Sequence, residues 1–170
     1  MKRHVLSVLV SNHSGVLSRV AGLFSRRGYN IDSLSVGETE NPDISRMTIV
    51  AQGDDLIIEQ IMKQLDKLHD VYYIKQLPQP EAVCKEMALI KVSANNTNRV
   101  EIIGIIDIFE ASIVDAATEA LTIEVTGDKN DIDTFITMIE PYGIKEMTRT
   151  GIIALQKGNR DIKEDLPEEE

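Results

Sequence analysis

Pro78-Gln79-Pro80 cuts the chain into two stretches that carry the same succession of apolar periodicities, and this repetition limits the fold more than any other feature. Residues 4–10 (HVLSVLV) form an apolar run suited to a central strand. Val16, Leu17, Val20, Leu23 and Phe24 follow at helical spacing. Arg19, Arg26 and Arg27 fall largely on the opposite side, and Gly28 is placed to end the helix. Two extended runs, 30–38 and 45–52, flank the turn signal Asn41-Pro42-Asp43 and predict a hairpin. In the second of these, Met47, Ile49 and Ala51 alternate with Arg46, Thr48 and Val50. Gly53-Asp54-Asp55 opens another helix with an acid at its N-cap, and its stripe is Ile57 or Ile58, Ile61, Leu65 and Leu68. Residues 71–77 give a fourth strand. The order β-α-β-β-α-β is that of a ferredoxin-like unit.

After the proline-rich linker the order is repeated. A strand over 86–94 leads into the polar loop Asn95-Asn96-Thr97-Asn98 and a helix over 99–110, with Val100, Ile103, Ile106 and Phe109 as its predicted inner face. Strands follow at 112–117 and 120–126. Gly127-Asp128 starts a fourth helix with Ile132, Phe135, Ile136 and Ile139 inward, and Pro141 and Gly143 stop it. Residues 144–156 give one last strand or two short ones. The sequence thus predicts an α+β fold of two tandem ferredoxin-like βαββαβ domains. One spans 1–77, a linker 78–84, the other 85–158, and an acidic, solvated tail 159–170.

Such a sheet, with both helices on one face, leaves its other face open. Seventy-odd residues also bury only about 60% of their unfolded surface. Ile102, Ile105 and Ile108 add apolar positions outside the predicted stripe of the third helix. Together these point to pairing as a homodimer.

Charge and composition exclude several activities. A net charge of −10 opposes binding to a nucleic-acid backbone. The run 45–52 has no aromatic residue, so an RNA-reading sheet of the same topology is disfavoured. A single cysteine, Cys84, leaves no internal disulfide and no paired-cysteine metal site, and suits a reducing cytoplasm. No window approaches the roughly 20 apolar residues of a membrane span. The opening MKRHVLSVLVSNHSG reads as a strand and not as a signal peptide. An acylphosphatase-like hydrolase would need an arginine in a phosphate-cradling loop, which SNHSG lacks. No nucleophile–base pair stands out, so the sequence predicts no catalytic residue.

Ser11-Asn12-His13-Ser14-Gly15 joins the first strand to the first helix. Free N–H groups at a helix start favour a carboxylate or phosphate by roughly 0.3–1 kcal/mol, and up to about 2 when partly buried. Gly15 permits a positive φ or a close backbone approach, and the Asn12 amide can donate and accept. The alternative is that Ser14 merely caps the helix and Gly15 merely turns the chain.

Asn12-x-x-Gly15-x-Leu17, with Gly22-Leu23-Phe24-Ser25-x-Arg27-Gly28-Tyr29-Asn30-Ile31, resembles the N-terminal ACT domain of the small, regulatory subunit of acetolactate synthase (acetohydroxyacid synthase). Ser45-Arg46-Met47-Thr48 and Gln60-x-x-Lys63-Gln64-Leu65 continue the resemblance, and Ile113-Val114-Asp115, LTIEVTGD at 121–128 and Thr150-Gly151 resemble its C-terminal domain. The resemblance covers residues 2–158. It implies a chain with no cofactor of its own that binds and activates a catalytic subunit carrying thiamine diphosphate, Mg²⁺ and FAD. It further implies feedback inhibition by valine in branched-chain amino acid biosynthesis.

In ACT domains the effector lies where one copy's first loop and helix meet the other's second strand. That implies a site made of Asn12, His13, Ser14, Gly15, Val16, Leu17, Asn30, Ile31 and Leu34. The amides near Gly15 and Val16 take the carboxylate, Asn12 and Asn30 accept from the ammonium, and Val16, Leu17, Ile31 and Leu34 wall the side chain. Two departures stand out. The family often has basic residues where this chain has Phe109-Glu110-Ala111-Ser112, and the EEE-ending tail is not typical of it. The competing reading is an ACT-type amino-acid-binding regulator of another enzyme or of transcription.

Overall fold

The computed structural model describes residues 2–162; residues 163–170 of the expected acidic tail lie outside the described residues. The chain divides into two compact units. One holds the residues up to Cys84 together with those from Ile152 on, and the other holds Lys85–Gly151.

In the first unit β1 (Lys2–Ser11), α1 (Val16–Arg27), β2 (Ile31–Glu38), β3 (Ile44–Gly53), α2 (Asp55–Leu65) and β4 (Val71–Gln76) follow in order. The sheet is antiparallel, in the order β2-β3-β1-β4. The apolar run at the chain start therefore becomes an interior strand, as its composition predicts. Val8 and Ile49 from the sheet meet Val20 and Phe24 of α1 and Ile58, Ile61 and Leu65 of α2 in one buried cluster. Gly28 ends α1 at φ 70°, and the N–H of Tyr29 closes on the Phe24 carbonyl at 3.0 Å. Asp54 caps α2 by accepting from the Ile57 N–H at 2.9 Å.

The second unit repeats this with β5 (Ala82–Ser93), α3 (Arg99–Ile108), β6 (Ser112–Ala116), β7 (Ala120–Gly127), α4 (Lys129–Ile139) and β8 (Ile144–Arg149), in the strand order β6-β7-β5-β8. Asp128 and Asp131 form a capping box at the start of α4.

The inner face of α3 differs from the expected one. Ile102 and Ile106 are buried, whereas Val100 is 77% exposed and Ile103 also faces outward. Phe109 does pack on the core, edge-on to Phe135 with ring centroids 5.3 Å apart. The helix is apolar nearly all round, so the sequence carries two competing stripes. The pair spaced by four residues, Ile102 and Ile106, wins the interior.

The chain closes with β9 (Ile153–Gln156), so 144–156 holds two short strands. Where the sequence reading carried the second domain to 158, the structure ends that unit at Gly151 and returns Ile152 onward to the first. There β9 pairs with β5, the Lys157 N–H donates to the Glu81 carbonyl at 2.8 Å, and the Ile152 N–H donates to Ser33 Oγ at 3.0 Å. Val5, Val50, Leu77, Ala82, Ile152 and Ala154 make a second buried cluster. The first sheet's outer face, expected to be open, is thus covered by the chain itself. The physical reason is that β1 and β3 are apolar on both faces: Val50, with Arg46 and Thr48 on the outward side of β3, needs cover.

Candidate functional site

The β1–α1 loop is built by Gly15. It is the N-cap of α1 at φ 88°, a left-handed conformation, and no side chain caps the helix. Ser14 therefore does not act as the cap. The first turn carries no acid. The Val16 N–H reaches only the His13 carbonyl, at 3.5 Å, so the loop presents amide hydrogens at the positive end of the helix dipole. His13, Ser14 and Leu17 are exposed beside them, and Val16 is buried in the core.

Arg19, which the sequence places only on the helix side opposite the apolar stripe, joins this loop. Its Nη2 lies 2.6 Å from Asp70 Oδ2, and its Nη1 would be 3.6 Å from a Cβ on Gly15. One turn along the helix, it places a cation beside the exposed amides. The i+4 spacing from Gly15 is visible in the sequence; the anchor on Asp70, 51 residues away, is not.

Asn12 is more occupied than the sequence suggests. Its Nδ2 donates to the Pro42 carbonyl at 2.8 Å and to Glu38 Oε1 at 3.2 Å, and its Oδ1 accepts from Ser45 Oγ at 3.0 Å. Its backbone N–H donates to the Asp43 carbonyl at 2.8 Å. Asn12 thus clamps the end of the β2–β3 hairpin onto the loop.

Asn30, Ile31 and Leu34 lie elsewhere. Register places Glu38 opposite Ser45, and Ser45 opposite Val10, at the loop end of the sheet. Ile31 stands opposite Ala51, and Ala51 opposite His4, at the far end. The 12 residues of α1 span about 18 Å between the two groups. A register shift between Ile31 and Ser33 frees Asp32, which gathers Asn30 Nδ2 at 3.1 Å, Arg3 Nε at 2.9 Å and Gln52 Nε2 at 2.7 Å. The hydrogen bond from Gln52, followed by those from Asn30 and Arg3 and the Arg3 charge, holds the Asp32 carboxyl below its usual range despite the opposing effect of burial. Ile31 and Leu34 pack partly against the helix-side core. One chain therefore brings residues 12–17 together and keeps them apart from 30–34; the nine residues can meet only across two copies.

The equivalent loop of the second unit hydrogen-bonds to itself. Asn95 Oδ1 accepts from the N–H groups of Thr97 and Asn98, and Asn98 Oδ1 accepts from the Asn95 N–H. Arg99 Nη2 donates to the carbonyls of Ala94, Ala117 and Thr118 at 3.2, 2.6 and 2.9 Å. The donors that stay open in the first loop are used internally here.

Two βαββαβ units, the first with an uncapped, amide-lined loop before its first helix, define a tandem ferredoxin-like protein led by an ACT domain. Comparison with known proteins agrees. Residues 6–73 match the AHAS small subunit-like ACT domain, and residues 85–158 match the family described as the small subunit of acetolactate synthase. A probable acetolactate synthase small subunit of Methanothermobacter thermautotrophicus is 49% identical over 160 residues, covering 94% of this chain and 95% of that protein. The acetolactate synthase small subunit of Mycolicibacterium smegmatis is 48% identical over 159 residues, covering 94% of each. The crystal structure of the Thermotoga maritima small subunit superposes with a TM-score of 0.87 at 41% identity, covering 94% of this chain and 100% of that one. The chain belongs to the acetolactate synthase small subunit family.

Proposed function

We propose that this chain binds valine between the ACT domains of two copies and passes that binding to the catalytic subunit of acetolactate synthase, which it activates and places under feedback inhibition. The observation that carries the reading is the open start of α1, where exposed amides and Arg19 stand ready for a carboxylate. In the same loop of the second unit the N–H groups of Asn95, Thr97 and Asn98 are taken up by asparagine side chains. The far-end residues Asn30, Ile31 and Leu34 of the second copy supply the ammonium acceptors and the apolar wall, so the homodimer follows from the site and not from an open sheet face. Catalysis, with thiamine diphosphate, Mg²⁺ and FAD, belongs on this reading to the catalytic subunit, in the cytoplasm.

A pocket of backbone amides and aliphatic walls gives modest affinity; about −5.5 kcal/mol corresponds to roughly 100 μM. One methylene more or less changes that by about 1–3 kcal/mol. Transmission requires only a 1–3 kcal/mol difference in affinity between two states of the complex.

The test is a valine titration of acetolactate formation by the purified catalytic subunit with and without this chain. Asn12→Ala and any Gly15 substitution are poor probes, since the first unclamps the hairpin and the second strains a positive φ. Arg19→Gln is better, because it leaves the hairpin clamp and the Gly15 backbone intact and removes one half-exposed partner of a surface ion pair. The expected result is that the chain raises activity, that valine lowers it again, and that Arg19→Gln shifts the valine midpoint upward about tenfold without lowering maximal activation. A complex indifferent to valine would overturn the proposal.

A further inference from the structure

The outer face of α3 serves neither the core of its own unit nor the local rules of a stable helix. Val100 is 77% exposed, Ile108 71% and Ile103 36%. Val100, Gly104 and Ile108 succeed one another at four-residue spacing, so they make one ridge along a helix of about 15 Å, with Ile103 and Asp107 beside it. Ile113 of the edge strand β6 is exposed as well, and it stands opposite the buried Ile123 on the sheet face that carries the helices. Aliphatic side chains gathered on an uncovered face mark a contact with another molecule.

Two further choices weaken the isolated helix. Gly104 sits in its middle, where alanine is favoured, and a Cβ there would meet no atom within 4 Å. Among the described residues nothing packs against that position, whereas a backbone laid close on the ridge would use the missing side chain. The second choice is charge. Asp107 lies in the last turn and Glu110 just beyond it, with no basic residue in that turn, so two exposed carboxylates stand at the negative end of the helix dipole. Glu110 also takes φ 52°, a left-handed conformation that glycine adopts at lower cost. Local rules broken without a gain inside the chain are what a functional surface leaves behind.

A second copy does not suit this face. A twofold axis at Gly104 would set Asp107 of each copy against Glu101 of the other, and like charges opposed across an interface repel. We propose that the outer face of α3 docks the catalytic subunit, through a helix of that subunit whose apolar stripe is bordered by lysine or arginine. The inference rests on the reading that this chain serves such a subunit, and it adds the surface that does so. The basic border answers Asp107 and Glu110, and the stripe covers Val100 and Ile108 with its backbone drawn close at Gly104.

The experiment measures the affinity of the purified catalytic subunit for the full chain and its variants by calorimetry at low and high salt, with the melting temperature of each variant alone. Gly104→Ala and Glu110→Gly are expected to leave that melting temperature unchanged or higher, since each restores a locally favoured residue, and yet to weaken the complex about tenfold. Val100→Ser is expected to weaken it to a similar degree. The wild-type complex is expected to loosen as salt rises, and Asp107→Lys to weaken it and lessen that dependence. Wild-type affinity in Gly104→Ala and Asp107→Lys would overturn the inference and leave the proposed function standing. Absence of any wild-type complex would overturn both. A smaller sedimenting mass for Val100→Ser alone than for the wild type alone would give the face to a second copy and also overturn the inference. Should Asp107→Lys fail to fold, Gly104→Ala still decides.

Discussion

Charge is buried at one place in the second unit. Glu86 is 4% exposed, and Arg149 holds it while also donating from Nη1 to Asp133 Oδ1 at 2.9 Å. Lys129 closes the group on Asp133 from one turn earlier in α4. Arg149→Met is expected to destabilise the second unit by about 3–5 kcal/mol, because Glu86 then stays buried without its partner. Arg149→Met with Glu86→Leu should recover much of that loss, and urea midpoints of the three proteins check it. The same group sets a pH response. The Lys129 hydrogen bond, with those of Arg149 and the charges of both, holds the Asp133 carboxyl below 3.8. A depressed carboxyl contributes stability above its unfolded pKa and loses it as pH falls through the folded value. The urea midpoint of the second unit should therefore drop as pH falls below about 4, and Asp133→Asn should flatten that drop. Asp133 is part exposed, so the effect is small beside that of Arg149→Met.

Elements whose ends are written locally were legible in the sequence. Asp54 and Asp128 cap the helices they precede, and Gly28 ends α1, because a cap needs only residues within one turn. Gly15 was legible for the same reason. The phase of α3 was not. Val100, Ile102, Ile103, Ile105, Ile106 and Ile108 surround the helix, so periodicity gives no direction and the sheet decides which pair goes inside. Ile102→Ala should cost about 2–5 kcal/mol and Val100→Ala under about 0.5, by chemical unfolding. The opposite ranking would restore the predicted stripe. Also hidden was the clamp of Asn12 on Glu38, Pro42 and Ser45, since partners 26 to 33 residues away leave no mark in local spacing. The candidate site was therefore readable as a loop and a strand, but Asn12 as its hairpin anchor and Arg19 as its cation were not.

At the scale of the molecule, the chain crosses from the first unit to the second at Cys84 and comes back at Ile152, so the outer face of the N-terminal sheet is covered by the last part of the chain. The sequence hid this because Ile152-Ile153-Ala154-Leu155 reads equally well as the tail end of the last ferredoxin-like strand. Yet a small domain with one bare apolar sheet face is marginal, and the returning segment supplies what it lacks. Ile152 and Ile162 are each under a tenth exposed, and burial of such side chains contributes about 1.5–3 kcal/mol apiece. Ending the chain at Gly151 should then remove about 3–6 kcal/mol from the first unit, a large part of the 5–15 kcal/mol that holds a domain folded. Hydrogen exchange would show the loss as faster exchange in β1 and β3, with β7 and α4 keeping their protection. Unchanged protection in β1 and β3 would mean that the outer face does not need its cover. Such a result would also detach the stability of the ACT sheet from the segment that closes over it.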